Sequence, residues 1–102
     1  MLTITTNEVR SRMNTGEPIH LIDVREPIEN AEFNIGGTLL PLGKILSMQV
    51  EDIEDLKNEE VICYCRSGKR SMQACMVLET VVFTNVKNLA GGMLDWREKF
   101  GG

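Results

Sequence analysis

Apolar positions along the chain come in short runs separated by polar, glycine- and proline-bearing breaks, and the period within the runs alternates between strand-like and helical. Residues 2–4 are short and apolar and predict an edge strand. Thr5, with Glu8 three positions on, forms a capping-box pattern that opens a helix through Val9 to about Met13, broken by Gly16 and Pro18. Residues 19–24 are almost continuously apolar, as expected of a strand covered on both faces in a parallel sheet. Pro27 suits the first turn of a short helix reaching about Glu32. Residues 35–40 read as a loop entering a short strand that Pro41 ends. Apolar positions 42, 45, 46, 50, 53 and 56 predict two short helices interrupted near 47–50. The β-prone run 61–65 gives way to small and cationic residues, then to a helix from Arg70 to about Glu79. In that helix Ala74, Val77 and Leu78 suit the sheet side, and Met72 and Met76, one turn apart, are expected to fill the core. Residues 80–83 fit a frayed helix end or an extended turn. A strand follows at 85–89, and Gly91-Gly92 opens a last helix to about Phe100, with Leu94 and Trp96 available for packing. Strands alternating with helices predict an α/β fold with a mainly parallel sheet.

Composition narrows the class. At 102 residues there is room for one core, so 1–102 is read as a single domain. No run approaches the length of a membrane span, and the N-terminus lacks the basic-then-apolar order of a signal peptide. Three cysteines without framework spacing point to a reducing, cytoplasmic setting and not to a disulfide scaffold. Cys63 and Cys65 have no second ligand pair and the chain has one histidine, so no metal site is expected. His20 reads as a strand residue near the sheet surface. The acidic group Glu51, Asp52, Glu54, Asp55, Glu59 and Glu60 reads as a solvated face. The net charge of -4 and the absence of a basic stripe with interleaved aromatics argue against a nucleic-acid partner.

Against this acidic background, three cations, Arg66, Lys69 and Arg70, crowd the loop that follows Cys65. Such a cluster suits a small anion. The helix beginning near Arg70 aims unpaired backbone N–H groups back at the loop, and Gly68 lets further amides turn inward, with Ser67 beside it. A thiol held there should ionise readily and act as a nucleophile near neutral pH. In a parallel sheet, ligands bind beyond the carboxyl ends of the strands. Three such ends would meet: Asp23 to Arg25, Cys65 with its loop, and residues 90–92. Asp23 is expected to tie down Arg70 or a loop amide, and Arg25 either holds the loop or meets substrate. Cys63 is expected to face the core, and neither it nor Cys75 to be essential.

Several segments in series resemble the rhodanese family: Asp23-Val-Arg-Glu26 with Glu29, then Ile35, Gly37 and Pro41-Leu42; the Cys65 to Arg70 loop after an apolar strand; and Asn85-Val-Lys-Asn-Leu-Ala-Gly-Gly-Met-Leu-Asp-Trp96. The resemblance covers nearly the whole chain. It implies a three-layer fold, a five-stranded sheet flanked by helices, and a sulfurtransferase needing no cofactor. In that family reading the Cys65 thiolate takes the outer sulfur of thiosulfate or a similar small anionic donor. The resulting persulfide, cradled by the amides of residues 66–70, passes sulfur to cyanide, a small thiol or an acceptor protein. Arginine directly after the cysteine is similar to members that use thiosulfate. The stretch 34–42 is similar to rhodanese domains fused behind E1-like adenylating enzymes. Departures are Asn30 in place of an aromatic, Phe33-Asn34 in place of Gly-His, and residues 80–83 in place of a glycine-containing turn. Two other readings compete. One is a regulatory or carrier module without fast turnover. The other is a cell-cycle phosphatase or arsenate reductase of similar fold, whose loops place five residues between cysteine and arginine. Here four separate Cys65 from Arg70, which implies a cradle too small for phosphate.

Overall fold

Every residue from Val61 to Tyr64 is fully buried, and this central strand sets the architecture of the computed structural model, which describes residues 1–101. In chain order the elements are β1 (Leu2–Ile4), α1 (Thr6–Asn14), β2 (Leu21–Asp23), α2 (Pro27–Glu32), β3 (Thr38–Leu39), α3 (Leu42–Leu46), a 3₁₀ turn (Glu51–Leu56), β4 (Glu60–Tyr64), α4 (Lys69–Thr80), β5 (Asn85–Leu89) and α5 (Gly92–Phe100). The strands form one sheet in the order β1-β5-β4-β2-β3, with every neighbouring pair parallel.

The strand period of two sorts side chains between the layers. Val61, Cys63 and Cys65 face a core completed by Ile22, Val24, Ile45, Ile53, Ala74 and Leu78, so α3, the 3₁₀ turn and α4 cover that side. Ile62 and Tyr64 face the other core with Ile4, Val9, Leu89, Met93 and Trp96, so α1 and α5 cover the opposite side. Each fully buried Ile or Val removed from water contributes roughly 1.5–3 kcal/mol, which is why β4 needs helices on both faces.

Most element positions agree with the pattern reading, and the departures have physical causes. Thr5 caps α1 by accepting the Glu8 N–H, but the Glu8 carboxylate turns outward to Arg12 instead of closing the box. Met72 and Met76 lie on the outer face of α4, 45% and 58% exposed, because Ser71, Ala74, Cys75 and Leu78 already fill the face against the sheet. Leu94 is likewise exposed, while Trp96 is buried. Glu60 leaves the solvated acidic face and binds Arg12 and Lys87 at the start of β4. Residues 80–83 resolve into the last turn of α4 and a turn with Val82 at φ 66. No helix among the described residues is long and apolar enough to cross a membrane.

Candidate active site

The three predicted strand ends do converge. Parallel pairing of β2 with β4 and of β4 with β5 brings Asp23, Tyr64 and Leu89 to one edge of the sheet, with Cys65 directly beyond β4. From Cys65 the chain turns through residues 66–68 into α4. Gly68 sits at φ 103, a left-handed conformation that favours glycine, and is the N-cap of α4. Glycine has no side chain with which to cap a helix, and the Cys65 sulfur takes that place. Sγ accepts the N–H groups of Gly68 at 3.1 Å and Ser71 at 3.4 Å, and lies 3.4 Å from the Ser71 hydroxyl. Two helix-start donors that would otherwise need partners therefore end on one sulfur.

That geometry decides the protonation chemistry. Burial pushes the Cys65 thiol up, but the Ser71 hydroxyl and the amides of Ser71, Gly68 and Ser67 outweigh it, so the thiol is held below its ordinary value. The donors are the helix-start and loop amides that the sequence points to, joined by the Ser71 hydroxyl; of the three loop cations, none hydrogen-bonds the sulfur, although Arg70 and Cys65 attract each other electrostatically. Arg66 and Lys69 are both exposed. Arg70 is clamped by Glu29 through two hydrogen bonds of 2.7 and 2.8 Å.

Asp23 does not reach Arg70. Its carboxylate takes Arg25 at 2.9 Å through both oxygens, the Arg25 backbone N–H at 3.0 Å and the Asn30 amide at 2.8 Å. Arg25 also donates to the Phe33 carbonyl at 2.5 Å and is 5% exposed. The Asp23–Arg25 pair thus braces the turn after β2 and pins α2 beside the loop. A cavity of about 150 Å³ opens there, walled by Arg25, Phe33, Arg66, Met93, Leu94 and Arg97, with Glu29 and Glu32 at its acidic side. Cys65 itself is 1% exposed and lies under the loop, one residue from the cavity wall at Arg66.

The opening turn of α5 holds the loop from the other side. Met93 N–H donates to the Cys65 carbonyl and Leu94 N–H to the Arg66 carbonyl, both at 2.9 Å. This contact is possible because residue 92 is glycine: a Cβ there would lie 2.5 Å from the Cys65 carbonyl oxygen and 2.6 Å from that of Arg66.

Three residues at the site were not singled out by the loop pattern. Ser71 lies one position past the expected loop. Glu29 is 41 residues from its partner Arg70, so no local pattern could join them. Asn88 is an amide, 3% exposed, at an inward position of β5 beside Cys63. The two-residue alternation of β5, with Val86 buried on the same face, carried that signal. Cys63 and Cys75 are both buried. Hydrogen bonding to Cys75, then burial, pushes the Cys63 thiol well up, so it offers little thiolate.

The Arg70 hydrogen bonds hold the Glu29 carboxyl down at about 2, against the cost of burying it. A carboxyl with a lowered folded pKa contributes stability above its unfolded value and loses it as pH falls through the folded one. Glu29→Gln should therefore cost about 1 kcal/mol at neutral pH, the scale of a partly exposed ion pair. In chemical denaturation the gap between Glu29→Gln and the parent protein should close as pH falls from about 4.5 toward about 2.

Comparison with known proteins places this geometry in context. The rhodanese-like domain family model matches residues 5–99. A sulfurtransferase of Allochromatium vinosum is 35% identical over 94 residues, covering 91% of this chain and 85% of that protein. A human thiosulfate:glutathione sulfurtransferase is 30% identical, with 95% and 94% covered. A probable adenylyltransferase/sulfurtransferase of Mycobacterium tuberculosis is 32% identical over 98 residues, covering 95% of this chain but 25% of that longer protein. Among solved structures, a rhodanese-like domain protein from Staphylococcus aureus superimposes with a TM-score of 0.83 at 29% identity, covering 94% and 91% of the two chains.

Proposed function

The chain belongs to the rhodanese-like domain family, and from that premise we propose that it is a thiosulfate sulfurtransferase working through a persulfide on Cys65. The observation that carries the reading is the sulfur facing the amides of Gly68 and Ser71 in a loop at the carboxyl end of the sheet. The Cys65 thiolate attacks the outer sulfur of thiosulfate, the S–S bond to the sulfonate breaks, and sulfite leaves with the electron pair. The charge that began on Sγ now sits on the terminal sulfur of a Cys65 persulfide. Cyanide, or the thiolate of a small thiol or acceptor protein, then attacks that terminal sulfur. Thiocyanate or a new persulfide departs and the Cys65 thiolate is regenerated.

The protein's part is electrostatic. Fixed N–H dipoles stabilise the anionic sulfur without rearranging during the reaction. Arg66 and Arg97 on the cavity wall supply positive charge for an anionic donor. The human relative's name carries both thiosulfate and glutathione, which agrees with a small anionic donor and a thiol acceptor. Three free thiols suit a reducing compartment such as the cytoplasm.

Near-complete burial of Cys65 favours one variant of this reading, a carrier that loads sulfur and yields it to a docked acceptor protein. Steady-state thiosulfate–cyanide and thiosulfate–thiol assays across pH separate the two. A turnover enzyme should show a rate that rises with pH as the thiolate forms and levels off below the ordinary thiol range, since the Cys65 pKa is lowered. A carrier should load sulfur once and turn over negligibly with small acceptors. Failure to load at all would remove both readings.

A further inference from the structure

We infer that Asn88 is a positioning residue for the sulfur site: its amide sets whether the Ser71 hydroxyl proton points away from the Cys65 sulfur or toward it. Asn88 is the polar exception on the α4-facing side of β5; its side chain makes no hydrogen bond to Cys65, and it does not line the cavity. Its two amide atoms instead reach the two residues that hold the sulfur. Nδ2 donates to the Gly68 carbonyl at 3.1 Å, and Oδ1 accepts from the Ser71 hydroxyl at 2.5 Å.

The proton directions follow from what each group can do. A carbonyl oxygen only accepts, so Gly68 fixes which end of the Asn88 amide carries the N–H groups. Oδ1 must then face Ser71, and Oδ1 only accepts, so the single Ser71 proton is committed to Asn88. Toward Sγ, 3.4 Å away, that hydroxyl offers a lone pair, which suits a thiol S–H. A thiolate needs the opposite: Ser71 must swing its proton from Asn88 to the sulfur. Asn88 and the anionic sulfur therefore compete for one proton, and the network has a resting arrangement and an ionised one.

The charged and titratable groups around the sulfur do not duplicate this role. Cys63 on β4 and Cys75 on α4 are buried thiols. Arg66 and Lys69 are exposed, Arg70 is held by Glu29, and Asp23 and Arg25 at the end of β2 satisfy each other. The loop also has an anchor independent of Asn88, because Gly68 O accepts the Met72 N–H of α4 at 3.1 Å. Removing the amide should thus release the Ser71 proton without opening the loop.

The catalytic meaning of this network rests on Cys65 being the sulfur-accepting thiol. Alkylation reads the network without sulfur chemistry, so the two proposals can fail separately. Iodoacetamide labelling of Cys65, followed by mass spectrometry across pH, gives the midpoint of thiolate formation. Asn88→Leu keeps the volume and removes the competitor. Its midpoint should move to lower pH, with roughly fivefold more thiolate below the midpoint, the scale of one net hydrogen bond. Ser71→Ala should move the midpoint up, and Asn88→Leu added to Ser71→Ala should shift it no further. In the unmodified protein, the Asn88 side-chain amide resonances should titrate with the Cys65 midpoint and become flat in Cys65→Ser. An upward shift in Asn88→Leu, an undiminished Asn88 effect in the Ser71→Ala background, or flat Asn88 resonances in the parent protein would each overturn the proposal. The resonance titration decides the matter even if a variant does not fold.

Discussion

Cys65→Ser should lose sulfur transfer from thiosulfate to cyanide, by at least about a thousandfold, while folding normally. The oxygen of serine is smaller and would accept the same Gly68 and Ser71 amides, so the cap on α4 survives and stability changes little. The chemistry does not survive. A hydroxyl ionises far above neutral pH, and the donors that lower a thiol into the working range cannot bring an alcohol there. The covalent sulfur intermediate then cannot form, and a double displacement that loses its intermediate retains only what binding and orientation supply. Cys63→Ser and Cys75→Ala provide the contrast. Both thiols are buried in the core beneath the loop, so stability should fall while transfer per folded molecule remains. Loss of all transfer in either would mean that a second thiol takes part in the relay.

Gly92→Ala should be the most damaging substitution for folding near the site, at about 3 kcal/mol or more. The cause is steric. A Cβ at residue 92 would stand 2.5 to 2.7 Å from the carbonyl oxygens of Cys65 and Arg66 and from the Arg66 carbonyl carbon. These are main-chain atoms and cannot rotate out of the way as the end of a side chain can. Either α5 lifts off or the loop moves. Either movement strains the Met93 and Leu94 hydrogen bonds that hold the carbonyls of Cys65 and Arg66. Those bonds fix the peptide planes that enter the loop, so surviving folded Gly92→Ala should also show a raised Cys65 midpoint in alkylation. Thermal unfolding with alkylation of the folded fraction checks both parts. A stable protein with an unchanged Cys65 midpoint would show that the α5 contact does not shape the sulfur nest.

How much of this was legible in the chain depends on the range of the interaction concerned. The strands at 2–4 and 85–89, the Pro27 helix and the strand–loop–helix around Cys65 follow from local patterns, because alternation, proline and glycine act on their own segments. The parallel sheet followed from the order of those segments, and with it the meeting of Asp23, Cys65 and Gly92 at one edge. What the chain concealed is pairing across distance. Arg70 sits in the loop cluster like a ligand for anions, yet its guanidinium is occupied by Glu29. The same holds for Asp23, whose obvious partner at long range was outcompeted by Arg25 two residues away. Met72 and Met76 show the limit of composition: their apolar character suggested core filling, although the stripe read as facing the sheet was that of Ala74 and Leu78, which are buried there while both methionines are exposed. Asn88 is the opposite case. Its inward register was readable, but the residues it serves, Gly68 and Ser71, become visible once β5 lies beside β4.

If amide donors around the buried Cys65 thiol keep its sulfur ionised, that sulfur should be able to carry a second. Intact-mass measurement after incubation with thiosulfate tests it most directly. The protein should gain the mass of one sulfur atom on Cys65, lose it on addition of cyanide, and gain nothing as Cys65→Ser. An unchanged mass in the parent protein, or a sulfur adduct that persists in Cys65→Ser, would contradict it.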